Sequence, residues 1–375
     1  MSGYLGKDVF KLGFGLMRLP KLADGESNDT EQICEMVDMF LEAGGTYFDT
    51  AYVYGDGKSE EAVKKALVDR HPRESYQLCT KLCAWLQCHD EESAKQQFYT
   101  SLERTGAGYF DYYLLHALQR NNYKKYDEYH LWDFVGELKE KGLVKNWGFS
   151  FHADPELLDE LLTAHPEVDF VQLQINYVDW DNPGVASRRC WEICRKHNKP
   201  VTIMEPVKGG ALARLPEKAE KILKEASPEM SATSWAIRYA ASLDGIITVL
   251  SGMSDTQQME DNLSYMKGFE PLTDDEREVV RKVQEVLAEG KSIACTACRY
   301  CTGECPQNIA IPEIFAVRND ALANKPWDGG KRGYTIATAN KGKAGDCIKC
   351  GQCESSCPQH LPIMELLHEC AEAME

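Results

Sequence analysis

Between residues 12 and 265, short apolar runs alternate eight times with longer stretches of helical periodicity, and no other feature of the sequence narrows the fold as far. The strand-like runs fall at 12–19, around Phe48, and at 76–81, 110–116, 144–150, 170–176, 201–205 and 245–250. Helical patterns follow at 31–43, 59–69, 91–103, 132–141, 154–163, 186–196, 231–242 and 255–265. Gly44-Gly45 stops the first of these helices, and Asp154-Pro155 starts the fifth. Apolar strands that alternate with helices argue for a parallel sheet buried on both faces, and eight such units close an α/β (β/α)8 TIM barrel. An open doubly wound sheet is the alternative. It lacks a Gly-x-Gly-x-x-Gly turn after the first strand, and Gly13-Phe-Gly15 alone carries little weight. One more helix, at 273–287, is charge-rich and belongs on the outside. After residues 288–292 the composition turns to Cys, Pro and Gly, so the barrel is assigned residues 1–290 and a second domain residues 291–375.

A barrel brings the C-terminal ends of its strands to one common mouth, however far apart they lie in sequence. Asp49 ends the second strand, Lys81 the third and His116 the fourth, each one strand–helix repeat from the next. Tyr54 lies on the loop just past Asp49. A tyrosine is a useful acid if something lowers its pKa from about 10, and a nearby lysine favours phenolate. The expectation is that Lys81 does this beside Tyr54, that Asp49 pairs with Lys81, and that His116 orients a carbonyl oxygen or relays a proton.

The chain has 15 cysteines, and eight of them form two matching runs after residue 290. Cys295-x-x-Cys298-x-x-Cys301-x-x-x-Cys305-Pro306 is followed by Cys347-x-x-Cys350-x-x-Cys353-x-x-x-Cys357-Pro358. This is the spacing of bacterial-type ferredoxins, in which three close cysteines hold one cubane cluster and the fourth ligates the other. Cys295, Cys298, Cys301 and Cys357 are assigned to one 4Fe-4S cluster, and Cys347, Cys350, Cys353 and Cys305 to the second. Structural zinc is the competing reading, but zinc sites use two separated Cys-x-x-Cys pairs. After each run the chain reads as a helix start, so this domain is expected to be mainly helical and ferredoxin-like. The intervening linker contains Lys325-Pro-Trp327. Cys34, Cys190, Cys194 and Cys370 are read as buried or incidental thiols, and Cys79, Cys83 and Cys88 as too irregularly spaced for a metal site.

The 42 Lys and Arg stand against 59 Asp and Glu, a formal charge of -17 that repels phosphate backbones and anionic lipid. Nucleic acid and membranes are therefore not expected partners. No apolar stretch approaches the roughly 20 residues that span a bilayer, and Met1 to Lys7 lacks the basic start and apolar segment of a signal peptide. A soluble cytoplasmic protein is expected.

From about Gly13 to Tyr265 the sequence resembles the aldo-keto reductases. The resemblance rests on Phe48-Asp-Thr-Ala-x-x-Tyr-Gly55 with Ser59-Glu60 after it, Thr80-Lys81, Leu114-Leu-His116, Gly148-Phe-Ser150 and the strand of Gln172. It implies a catalytic tetrad of Asp49, Tyr54, Lys81 and His116, with Tyr54 giving a proton to a carbonyl that takes hydride from NADP(H) or NAD(H). It also implies that Ser150 and Gln172 hold the nicotinamide carboxamide, and that the turn and helix start from Gly252 through Gln258 to Asn262 cradle phosphate. Three positions depart from the family pattern. Phe151 replaces the usual Asn, Met204 stands where an aromatic ring stacks on the nicotinamide, and Gln258 stands where a cation often meets the 2′-phosphate. The implied substrate is a small carbonyl compound selected by mouth loops that include Trp85, residues 123–129 and Trp180.

Nicotinamide passes electron pairs whereas each cluster passes single electrons. A flavin is the usual intermediary, and no motif here demands one. The expected function is thus carbonyl reduction, with clusters that serve a redox protein partner or the structure. The alternative is an iron-sulfur electron-transfer or redox-sensing protein whose barrel binds NAD(P)(H) chiefly as a ligand.

Overall fold

The structure is a computed structural model that describes residues 5–375 except 7, 8, 291, 304, 325 and 327, with the backbone alone for 323 and 324. Most of the Met1 to Lys7 segment, Lys291, Lys325 and Trp327 therefore lie outside the described residues. The chain forms two compact units. The first comprises residues up to Pro206 together with Thr233–Arg277, and the second comprises Val207–Ala232 together with Glu278–Glu375.

The first unit is built on a closed parallel barrel of eight strands in sequential order. These are β1 (Leu12–Gly15), β2 (Tyr47–Asp49), β3 (Gln77–Leu82), β4 (Phe110–Leu118), β5 (Val144–Phe151), β6 (Phe170–Gln174), β7 (Val201–Met204) and β8 (Ile246–Ser251). β1 closes the ring by pairing with β8, with Phe14 opposite Ser251. The first strand is shorter than its apolar run, because the chain turns into a 3-10 helix at Leu16–Arg18. Tyr47, Cys79, Tyr112, Phe170 and Ile247 form one buried cluster, with the Tyr47 and Tyr112 rings 4.7 Å apart. The barrel interior is thus packed with side chains, as a barrel of eight strands requires.

The helices start where local chemistry permits. Asp29 accepts the amide of Gln32 to open Thr30–Glu42, and Asp90 with Ser93 forms a reciprocal cap on Glu91–Thr105. Among the described residues no helix is long and apolar enough to cross a membrane.

The second unit includes a helix that the alternation did not predict, Glu217–Ala226. The segments after the cysteine runs are helical as expected, at Ile311–Asn324 and Ile363–Met374. Their apolar faces share a core with Ile309, Ile314, Phe315, Leu367 and Cys370. Among the described residues the linker carries structure of its own. Its helix Lys331–Ala337 carries Tyr334, whose hydroxyl donates to Glu375 at 2.5 Å and accepts the amide of Ala344 at 2.7 Å.

Candidate active site and cysteine cavities

All eight strands run the same way, so their C-terminal ends open on one side, and Asp49, Lys81, His116, Ser150, Gln172 and Met204 lie at or near those ends. Lys81 is 1% exposed and Asp49 4% exposed. The Lys81 Nζ donates to Asp49 Oδ1 and to the carbonyl of Thr50, both at 2.6 Å. It also stands 4.8 Å from the centre of the Tyr54 ring. The other carboxylate oxygen of Asp49, Oδ2, is buried without a hydrogen-bond partner.

Tyr54 opens a 3-10 turn, Tyr54–Gly57, and the residues after it fix the loop. The hydroxyls of Thr50 and Ser59 lie 2.7 Å apart, and Ser59 donates to the carbonyl of Leu16. Glu60 is fully buried and accepts from Thr80 at 2.7 Å and from Arg104 at 3.3 Å, while Arg104 also caps the carbonyl of Tyr52. The Ser59-Glu60 pair therefore fastens the tyrosine loop to the strand that carries Lys81.

The expected depression of the Tyr54 pKa is not what this arrangement produces. Burial is the leading cause and pushes the phenol well above its usual value. The negative charges of Asp49 and Glu205 act in the same direction, and Arg18 opposes them. Lys81 spends its two short bonds on Asp49 and Thr50, so the carboxylate offsets its charge as seen from the ring. Tyr54 is held protonated.

His116 lies edge-on to Tyr54, with ring centres 5.8 Å apart. Burial, then the charge of Lys81, then His152 pull its pKa well below 6.5, so the imidazole is neutral at pH 7. Its backbone carbonyl accepts from Trp85 Nε1 at 3.3 Å and from the Tyr126 hydroxyl. Both aromatic residues were expected among the substrate loops. Tyr126 is instead wholly buried and supports the histidine. Beyond His116 the strand bulges, with Ala117 at φ 54, and the Ala117 amide donates to Ser150 Oγ at 2.7 Å.

Ser150 pairs in register with Gln172, and Gln172 with Thr202, so these side chains share one face of the sheet. Gln172 Oε1 and Thr202 Oγ1 are both buried without partners. Two orphaned polar atoms in one row fit a polar ligand such as a carboxamide. Met204 lies two residues further along the same side.

At the end of β8, a Cβ on Gly252 would meet only the Arg18 side chain, at 3.6 Å, so the backbone there is open to close approach. The helix Thr256–Met266 begins just after, capped by Asp255, and its N-terminus suits an anion. Gln258 is closed on this cap: it donates to Asp255 at 2.7 Å and accepts from Ser254 at 3.0 Å. Asn262 is buried and bonds Ser251 and Tyr265, so its amide holds the Ser251-Gly252 turn. Sequence reasoning missed Arg18 and Glu205, which approach to 3.9 Å and both act on Tyr54. Their places just past β1 and β7 were the available signal.

In the second unit the eight cysteines divide between two cavities. One is lined by Cys295, Cys298, Cys301 and Cys357. The other is lined by Cys305, Cys347, Cys350 and Cys353. Burial raises the Cys301 thiol, and Cys298, Cys295 and Cys357 add to the effect. Cys353 is pushed up to about 11, first by burial, with Cys347 and Cys305 contributing. The fourth cysteine of each run thus sits with the first three of the other. Among the described residues no three Cys, His, Asp or Glu side chains converge closely enough to hold a single metal ion. Four thiols spread around a cavity fit a cluster better than zinc.

The family model described as the aldo/keto reductase family matches residues 11–285, and that of the 4Fe-4S dicluster domain matches residues 294–362. The chain is similar to the uncharacterized oxidoreductase YqkF of Bacillus subtilis, at 23% identity over 68% of this chain and 87% of that protein. It is also similar to the 9,11-endoperoxide prostaglandin H2 reductase of Trypanosoma cruzi, at 28% identity over 62% of this chain and 77% of the other. Among solved structures, a holo aldo-keto reductase of Bacillus halodurans superposes with a TM-score of 0.61 at 27% identity, covering 75% of this chain and 95% of that one. An aldo/keto reductase of Klebsiella pneumoniae in complex with NADP and acetate shares the fold, with a TM-score of 0.60 at 19% identity, covering 75% of this chain and 94% of that one.

Proposed function

The chain belongs to the aldo/keto reductase family and is an oxidoreductase with a 4Fe-4S dicluster domain C-terminal to the reductase domain; on that premise we propose that it reduces a small aldehyde or ketone at the mouth of the barrel. The observation that carries this reading is the buried Lys81–Asp49 pair set beneath the ring of a protonated Tyr54, with a neutral imidazole at its edge.

The nicotinamide cofactor, when bound, supplies the hydride. Ser150 and Gln172 would hold its carboxamide, Met204 would meet its ring, and Gly252 with the helix start at Gln258 would face its phosphates. Asn262 keeps that turn in place. Structures of similar proteins with NADP or NADPH support this cofactor class.

The chain's own groups deal with charge and proton. Neutral His116 steers the carbonyl oxygen toward Tyr54. As the oxygen gains charge it becomes far more basic than the phenol, and Tyr54 gives up its proton. Lys81, over the face of the ring, stabilises the phenolate that remains, and Asp49 holds Lys81 there. The product is an alcohol, and Tyr54 recovers its proton from solvent.

The eight cysteines would hold two 4Fe-4S clusters in the two cavities, which would supply single-electron exchange with a redox protein partner. The test is Tyr54→Phe assayed for nicotinamide-dependent reduction of a panel of aldehydes and ketones. Turnover should fall about 10²–10⁴-fold, and unchanged turnover removes the catalytic assignment.

A further inference from the structure

The chain leaves β7 through a Lys-Gly-Gly turn that packs within the second unit. Lys208 is 6% exposed and has a left-handed backbone, φ 48, that a lysine adopts only under constraint. Its Nζ reaches Gln359 Oε1 at 3.3 Å. Gly209 follows at φ 63, and a Cβ there would come within 2.6 Å of the Thr296 Cα and carbonyl oxygen. Only glycine fits against that backbone. Thr296 and Gln359 both line the cavity of Cys295, Cys298, Cys301 and Cys357, and neither lines the other cavity.

We propose that Lys208 is a positioning residue that sets the reduction potential of the cluster held by Cys295, Cys298, Cys301 and Cys357, acting through Gln359, and leaves the second cluster untouched. The reading rests on the assignment of these four cysteines to one cluster. A cluster gains one negative charge on reduction, so a fixed cation behind its wall favours the reduced form. The asymmetry follows from position, since no equivalent buried lysine stands behind Cys305, Cys347, Cys350 and Cys353 among the described residues. The clamp at Gly209 holds the Lys-Gly-Gly turn against the Cys295 segment, and with it the charge. One cluster is therefore the easier to reduce, and electrons entering the domain settle on it.

The experiment is a redox titration of the cluster-loaded protein followed by electron paramagnetic resonance, with iron counted in every sample. Lys208→Met should shift one of the two waves negative by about tenfold in the reduction equilibrium, about 59 mV for a one-electron couple, with iron content unchanged. Lys208→Arg, which keeps the charge, should restore the wave to within a third of that shift, something a purely structural role would not do. The wave that moves should be the one altered in Cys357→Ser. The proposal is overturned if Lys208→Met moves neither wave or both equally, or if Lys208→Arg shifts as far as Lys208→Met. Should Lys208→Met lose iron, Gln359→Leu breaks the link without touching the turn, and an unmoved potential there overturns the proposal as well. If Cys357→Ser leaves both clusters intact, the ligand assignment has failed, whatever Lys208 does.

Discussion

Removing Lys81 leaves the Asp49 carboxylate buried, charged and without its partner, and this separates the stability of the site from its chemistry. In Lys81→Met the two 2.6 Å bonds to Asp49 and Thr50 vanish, while Asp49 Oδ2 already lacks a partner. Breaking one side of a buried pair costs about 3–5 kcal/mol. For a domain of this size that lowers the midpoint of thermal unfolding by roughly 6–10 °C. The double variant Asp49→Asn with Lys81→Met removes both charges and should recover most of the loss. Neither variant should recover turnover, because the cation over the Tyr54 ring is absent from both. Calorimetry of the reductase-domain transition and a carbonyl reduction assay give the two readouts. A single variant as stable as the double, or a double variant with wild-type turnover, would refute the reasoning.

Two further outcomes follow from the same geometry. His116 is held neutral in the folded state, whereas the unfolded chain takes up its proton near pH 6.5. The unfolded state therefore binds more protons below that pH, so stability should fall as pH drops from 7 to 5 and be flat above 7. His116→Asn should abolish this part of the dependence in chemical denaturation at several pH values. Cys357→Ser should remove the cluster of Cys295, Cys298 and Cys301 while sparing the other, as read by iron content and visible absorption. A serine variant with both clusters intact contradicts the cross-ligation.

Much of this was legible in the sequence because a parallel barrel converts strand ends into a site. Asp49, Lys81 and His116 could be placed together without knowing any distance, since each ends a strand one repeat from the last. The cysteine cavities were legible for a different reason, as ligand spacing in a cluster-binding run is set by the cluster. What escaped was burial and its electrostatic consequence. Spacing alone suggests that Lys81 lowers the Tyr54 pKa, but the depth of the pocket and the Asp49 carboxylate reverse the sign. Tyr126 sits in a polar, loop-like stretch, and only the fold reveals that it is buried under His116. The helix Glu217–Ala226 was missed because a template of one helix per strand has no place for a second helix between β7 and β8.

The central claim is that hydride passes directly from nicotinamide to a carbonyl beside Tyr54, with no part played by the clusters in the chemical step. NADPH dideuterated at the nicotinamide C4 and an aldehyde substrate test this in ordinary water, with the alcohol product examined by mass spectrometry and NMR. Direct transfer places one deuterium on the carbinol carbon of every product molecule. Product without deuterium at that carbon would mean that hydride does not pass directly from the nicotinamide, and would contradict it.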